Sequence, residues 1–332
     1  FFLYMSDSSW TKDLFFQFKI QGHKHKEISA LLMLVGAYTV TSTLLNYTWR
    51  LYKTFLRPSR NLFKRYQGGY VVITGATFGL GLEYARQFAQ KGFNLVLVAR
   101  NQEKLNTTSK DLKDEFKDIK IKTIAFDFDI PYTSEGYAPL KEAFSKLKDV
   151  SVLINNVGAI GFDYFNDMDI ETMNRMIQVN CVPQVAVTKL LLPQLLKRSK
   201  EDGKRTAIIN LSSVAYYTNL SRTAVYCATK SFNKSLSCVL KKEYGEFIDV
   251  LAVLPGPTRT NMITFDAPLV IQPAQHVKWA LSDLGYNDET FGHYQHWIYV
   301  NAYKLPLFEG WYNALRHRLI LENKMKTTSN KK

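Results

Sequence analysis

The sequence predicts an α/β domain built on a doubly wound parallel sheet with helices on both faces, preceded by an N-terminal helix long enough to cross a bilayer. Three observations predict it. The β-branched run Tyr70–Ile73 passes directly into the turn TGATFGLG, a helical stretch and a second apolar run. Further short apolar runs alternate with helical stretches, with no internal repeat. Residues 28–49 carry no charge at all.

Length and composition permit this architecture. With 332 residues, 46% hydrophobic and 22% charged, the chain can bury a sizeable core, and disordered, collagenous and disulfide-scaffold classes are excluded. The net charge of +14 is concentrated at the ends. Residues 1–66 hold ten basic and three acidic side chains, residues 314–332 hold six and one, and the middle 247 residues keep only +2. Basic flanks on a near-neutral body fit anionic lipid headgroups and argue against a nucleic-acid partner. Cys181, Cys227 and Cys238 form neither a disulfide framework nor a zinc pattern, which suits a reducing compartment.

Taken in order, residues 28–49 would measure about 33 Å as a helix, enough for one crossing. Its serines and threonines can bond back to the helix's own carbonyls. The basic residues of 50–67 outweigh those in front, which places the rest of the chain on the cytosolic or matrix side. A removed import sequence ahead of Phe1 would point to mitochondria. Next comes the strand Tyr70–Ile73 and its turn: Gly75 for the bend, Gly79 for backbone approach to a pyrophosphate and Gly81 for close helix–sheet packing. The helix over Leu82–Gln90 presents free N–H groups to phosphates, and Asn94–Ala99 is the second strand. This is a dinucleotide-binding βαβ unit. Arg100 stands where an NAD enzyme places an acid, and a guanidinium there pairs with a 2′-phosphate, so NADP(H) is the expected cofactor.

Lys104–Phe116 reads as a helix, Lys122–Phe128 as a third strand, Val150–Ile154 as a fourth running into Asn155-Asn156-Val157-Gly158, and residues 207–213 as a fifth. Tyr226 and Lys230 are four apart and share one helix face. An ammonium beside a phenol stabilises its phenolate, and a nearby serine hydroxyl can hold a carbonyl oxygen while a nicotinamide delivers hydride. That chemistry is ketone reduction.

The ordered motifs TGxxxGxG, NNxG, a serine-ended strand and YxxxK resemble the short-chain dehydrogenase/reductase family over about residues 68–265. The resemblance implies a Rossmann-type fold, with Asn180, Ser213, Tyr226 and Lys230 as the catalytic tetrad. It implies cofactor contacts from Thr74, Gly75, Gly79, Gly81, Arg100, Asp127, Asn155, Tyr226, Lys230, Pro255, Gly256, Thr258 and Thr260. No metal is implied, and His293 and His296 read as surface residues.

The segments RPSRNLFKRYQGGYVVITGATFGLG, LVLVARNQEKLN and VLINNVG, with the N-terminal anchor, narrow the resemblance. They look like the membrane-bound very-long-chain 3-oxoacyl-CoA reductases, relatives of the 17β-hydroxysteroid dehydrogenases of types 3 and 12. This implies NADPH-dependent reduction of a 3-oxoacyl-CoA at the endoplasmic reticulum membrane, with the catalytic domain cytosolic, beside other subunits of an elongation assembly. The alternatives are a steroid 17β-ketone reductase, or a non-catalytic accessory subunit of a membrane complex such as a respiratory one in the mitochondrial inner membrane.

Two features depart from the pattern. Pro183 is expected to kink its helix near Asn180, and the ending Asn330-Lys331-Lys332 lacks the lysine spacing of a retrieval signal.

The organisation expected is an extension over 1–27, a transmembrane helix over 28–49, a basic linker over 50–67, the dehydrogenase domain over 68–265 and a lid with an aromatic, basic C-terminal part over 266–332. Phe265–Ile271 offers apolar residues for a lid. The aromatic residues between Phe291 and Tyr312 suit either an interfacial patch or a helix covering the last strand.

Overall fold

In the computed structural model, residues 26–260, 262, 270–305, 307–311, 313–315 and 318 are described. The expected N-terminal extension up to residue 25, most of the lid, Tyr312 at the far end of the aromatic run, and most of the basic tail lie outside them. The described chain divides into two units after Pro58, and each is taken by itself.

The first unit is helix α1 (Lys26–Leu51), followed by a π-helical turn over Tyr52–Leu56. Its segment Ile28–Trp49 has a mean hydropathy of 1.8, none of it is buried, and it is long and apolar enough to cross a membrane. The hydroxyls behave as expected. Thr39 Oγ1 donates to the Val35 carbonyl at 2.7 Å and Ser42 Oγ to the Thr39 carbonyl at 3.1 Å, so neither needs water.

The second unit starts at Ser59. Helix α2 (Leu62–Tyr66) is capped by Asn61, whose side chain accepts from the Lys64 N–H, and its Leu62 and Tyr66 are buried. Residues expected as linker are therefore packed against the body, because Leu62 and Tyr66 stand one helical turn apart and enter the core from the same helix face. The chain continues through β1 (Tyr70–Thr74), α3 (Gly79–Gln90), β2 (Asn94–Ala99), α4 (Gln102–Glu115), β3 (Ile121–Ala125), α5 (Ala138–Ser145) and β4 (Val150–Asn155). The remainder is α6 (Ile170–Lys200), β5 (Thr206–Leu211), α7 (Ala215–Thr218), α8 (Ala224–Tyr244), β6 (Ile248–Val253), α9 (Pro273–Asp283), β7 (Glu289–Thr290) and α10 (Tyr294–Tyr303).

The seven strands form one parallel sheet in the order β3-β2-β1-β4-β5-β6-β7. Alternate residues feed two separate cores, as period-two strands covered on both faces require. Val71 and Ile73 of β1 join Leu95, Leu97, Leu251 and Val253 on one face, and Val72 joins Val96, Val98, Leu153 and Ile208 on the other. Strand β3 stops at Ala125, short of the expected Phe128. There Phe126 and Phe128 are both buried and stack edge to face at 5.0 Å, while Asp127 Oδ1 accepts from the Asp129 N–H and turns the chain. Helix α6 runs unbroken through Pro183 and Pro193, so the proline near Asn180 does not end it.

Chain order reverses direction across the sheet between β1 and β4, which opens a crevice at the carboxyl ends of these strands.

Candidate active site

The crevice is built first by backbone. Gly75 and Gly79 sit at φ +66° and +56°, a region that L side chains rarely adopt, and a Cβ on Gly81 would lie 2.3 Å from the Gly75 carbonyl oxygen. Helix α3 starts at Gly79 with neither a side-chain cap nor an acid in its first turn. Its leading N–H groups are thus left for an anion. Thr74 Oγ1 accepts from the N–H groups of Asn156 and Val157, at 2.9 and 3.1 Å, and Asn156 Nδ2 donates to the carbonyls of Thr74 and Gly75. These bonds hold β1 and β4 at a fixed spacing where they diverge. Arg100 is exposed at the end of β2, directly before Asn101 caps α4. A glycine-rich turn with uncapped helix N–H groups and a guanidinium beyond the second strand fits a phosphorylated dinucleotide.

Of the paired asparagines, Asn155 turns away from the crevice. Its Nδ2 donates to Thr188 Oγ1 at 2.9 Å and Asn210 Oδ1 at 2.8 Å within the core, so its side chain is not placed for cofactor. Asn156, which the sequence pattern does not single out, holds the turn instead. Asp127 is exposed after β3.

The chemical groups converge on the next strand. Ser213 lies just past β5, and its Oγ accepts from the Ala215 N–H at 3.2 Å and donates to the Pro255 carbonyl at 3.3 Å. Tyr226 and Lys230 lie one turn apart on α8. Lys230 Nζ donates to the Leu211 carbonyl at 3.1 Å and lies 5.6 Å from the centroid of the Tyr226 ring. Asn180 ties three elements together: Oδ1 accepts from the Ala159 N–H at 2.6 Å, while Nδ2 donates to the Ala159 carbonyl and to Thr229 Oγ1. A Cβ built on Gly158 would lie 3.1 Å from Asn180 Oδ1 and 3.5 Å from Lys230 Nζ, so both groups face one small space.

The charges differ from expectation in one respect. Burial raises the Tyr226 hydroxyl to about 12, with a hydrogen bond to Ser213 pulling it back. Burial also lowers Lys230 to about 8, opposed by the Cys181 thiol. An ammonium beside the ring is expected to bring the phenol down. Desolvation governs instead, because both groups are withdrawn from water and burial favours the neutral form of each. The phenol is therefore protonated at neutral pH, which is what a proton donor requires.

Pro255, Gly256, Thr258 and Thr260 come after β6. Thr258 Oγ1 donates to the Gly256 carbonyl, and a Cβ on Gly79 would meet Thr260 Cγ2 at 3.0 Å, so this segment closes over the glycine-rich turn. Beyond it, the histidines expected at the surface are buried. His293 is 9% exposed and His296 fully enclosed, because α10 packs its Tyr299, Val300 and Tyr303 against Val214. The aromatic stretch divides, with Tyr299 and Tyr303 of α10 packed inward and Trp311 exposed. Among the described residues no cluster can hold a metal ion.

The family model for short chain dehydrogenase matches residues 69–267. The chain is 34% identical over 278 residues to the very-long-chain 3-oxoacyl-CoA reductase-like protein of Arabidopsis thaliana, covering 79% of this chain and 85% of that one. It is 32% identical over 280 residues to the very-long-chain 3-oxoacyl-CoA reductase of Bos taurus, covering 78% and 84%. Among solved structures, the short-chain dehydrogenase from Sphingobium yanoikuyae in complex with NADPH aligns with a TM-score of 0.57 at 30% identity, over 65% of this chain and 84% of that one.

Proposed function

The chain belongs to the short-chain dehydrogenase family, and from that premise we propose that it reduces a long-chain 3-oxoacyl-CoA to the 3-hydroxyacyl-CoA. It is an NADP-dependent oxidoreductase. The observation that carries the proposal is the convergence of Ser213, Tyr226 and Lys230 beside the cofactor crevice.

NADPH, when bound, supplies the hydride for the carbonyl carbon. The protein's residues act on the oxygen. Ser213 would turn its one proton from the Pro255 carbonyl to this oxygen, and Tyr226 transfers its phenolic proton as negative charge develops there. Lys230 then stands beside the new phenolate and stabilises it until a proton returns. Asn180 holds Ala159 and α8 in register, which keeps Lys230 aligned. Gly75, Gly79, Gly81 and Arg100 would hold the cofactor's phosphates, with Thr74 bracing the turn from within the sheet and Thr258, Thr260 and the Pro255-Gly256 segment over the cofactor's reactive end.

The acyl-CoA substrate is supported by the names of the relatives, and membrane attachment by α1. The same reading sets the catalytic domain on the cytosolic side of the endoplasmic reticulum among other elongation enzymes. Full-length protein in mild detergent should oxidise NADPH with a long-chain 3-oxoacyl-CoA and be slow with estrone. Preference for estrone would transfer the assignment to a steroid ketone. No turnover of either, with NADPH still bound, would leave the accessory-subunit reading.

A further inference from the structure

We propose that His296 is a positioning residue for the cofactor, acting by clamping the Pro255–Thr260 segment; this rests on the reading of that segment as the cover of the cofactor's reactive end. Two ring nitrogens meet two backbone groups of that segment. The Gly256 N–H donates to His296 Nδ1 at 3.1 Å, and His296 Nε2 lies 3.0 Å from the Pro257 carbonyl. A carbonyl can only accept, so Nε2 carries the proton, and Nδ1 is left with the lone pair that the Gly256 N–H needs. The Phe291 carbonyl also lies near Nδ1, at 3.3 Å, but a proton placed there to reach it would strand the closer Gly256 N–H. The neutral ring with its proton on Nε2 is thus the form that serves both groups of the segment. Burial keeps the ring neutral, lowering it to about 4.

The packing is equally specific. A Cβ on Gly256 would lie 2.5 Å from His296 Cδ2, so the ring occupies the space that a side chain at Gly256 would take. From there the segment continues to Thr260, which touches the glycine-rich turn at Gly79. On the other side, the Pro255 carbonyl accepts from Ser213 Oγ and from the Val214 N–H. His296 thus fixes a strip of backbone that reaches from the catalytic serine to the phosphate turn. No sequence motif places residue 296 there; α10 brings it from forty residues downstream of Gly256.

The test compares His296→Asn, whose side chain can reproduce the acceptor for Gly256, with His296→Leu, which offers neither bond. Both are made in the full chain in detergent, and NADPH dissociation constants are read from nicotinamide fluorescence, beside thermal midpoints and the KM for NADPH. The leucine variant is expected to bind NADPH at least about tenfold more weakly, with the asparagine variant within about threefold of the parent. Unchanged NADPH affinity in the leucine variant would overturn the proposal, as would equal weakening in both variants. If the leucine variant does not fold, His296→Gln, which keeps a donor for Pro257 and loses the acceptor for Gly256, decides by the same tenfold criterion. These readouts use NADPH alone, so they stand even if the acyl-CoA assignment fails.

Discussion

The two ends of the parallel sheet bury ionisable groups to similar depth and treat them in opposite ways. At the amino end, Asp249 at the start of β6 accepts from Arg65, Arg205 and Tyr66 at 2.6 to 3.0 Å. Burial pushes its carboxyl up, but the bonds from Arg65, Arg205 and Tyr66 hold it below the ordinary carboxylate range. At the carboxyl end, Lys230 has no carboxylate partner among the described residues, and burial moves both it and Tyr226 toward their neutral forms. Complete pairing makes a buried charge a brace. Incomplete pairing leaves a group ready to exchange a proton with something that arrives.

The largest effect should come from the carboxyl end. Tyr226→Phe is expected to lower NADPH-dependent ketone reduction by about 10³-fold while NADPH still binds, measured by stopped-flow absorbance and fluorescence titration. Loss of binding as well would mean that the phenol braces the fold. At the amino end, Asp249→Ala should destabilise the domain by about 3 kcal/mol by leaving two guanidinium groups unpaired, with turnover per folded molecule unchanged. A lowered kcat in fully folded protein would break the division between the ends.

Arg100→Ala should cost about tenfold to a hundredfold in NADPH affinity and little in NADH affinity. The smallest effects are in pH. Reduction should be level near neutrality and fall several-fold above about pH 8 as Lys230 loses its proton, and Lys230→Arg, if active, should move that fall upward. For Asp249 the sign is the reverse. Its folded pKa is depressed, so its stabilisation is present above the ordinary carboxylate range and is lost as pH falls through the lowered value. Acid titration of Asp249→Asn should show a shallower loss of stability than the parent.

How much of this is legible in the sequence depends on how far each interaction reaches. The βαβ unit is legible because Gly75, Gly79 and Gly81 act on backbone within a few residues of themselves, and the pairing of Tyr226 with Lys230 because a helix turn fixes their spacing. Helix α2 is not, since the basic residues around it read as linker while Leu62 and Tyr66 find their partners across the domain. The roles of Asn155 and Asn156 cannot be divided from sequence, because adjacent strand-end residues face opposite sides and register decides which faces the crevice. The histidines are misplaced by sequence for a related reason: polarity alone suggests solvent, and only the tertiary fold shows the backbone groups that satisfy His296.

Gly256 leaves the space of its missing side chain to His296, and Gly292 stands in the same relation to His276, where a Cβ would come within 2.1 Å of the imidazole. Neither member of either couple can be exchanged freely while the other stays. Across descendants of this gene Gly256 should persist wherever the imidazole at position 296 does, and a lineage that discards that ring is where a methyl group should first be found, whereas Gly292, at φ +72°, should stay glycine in either case.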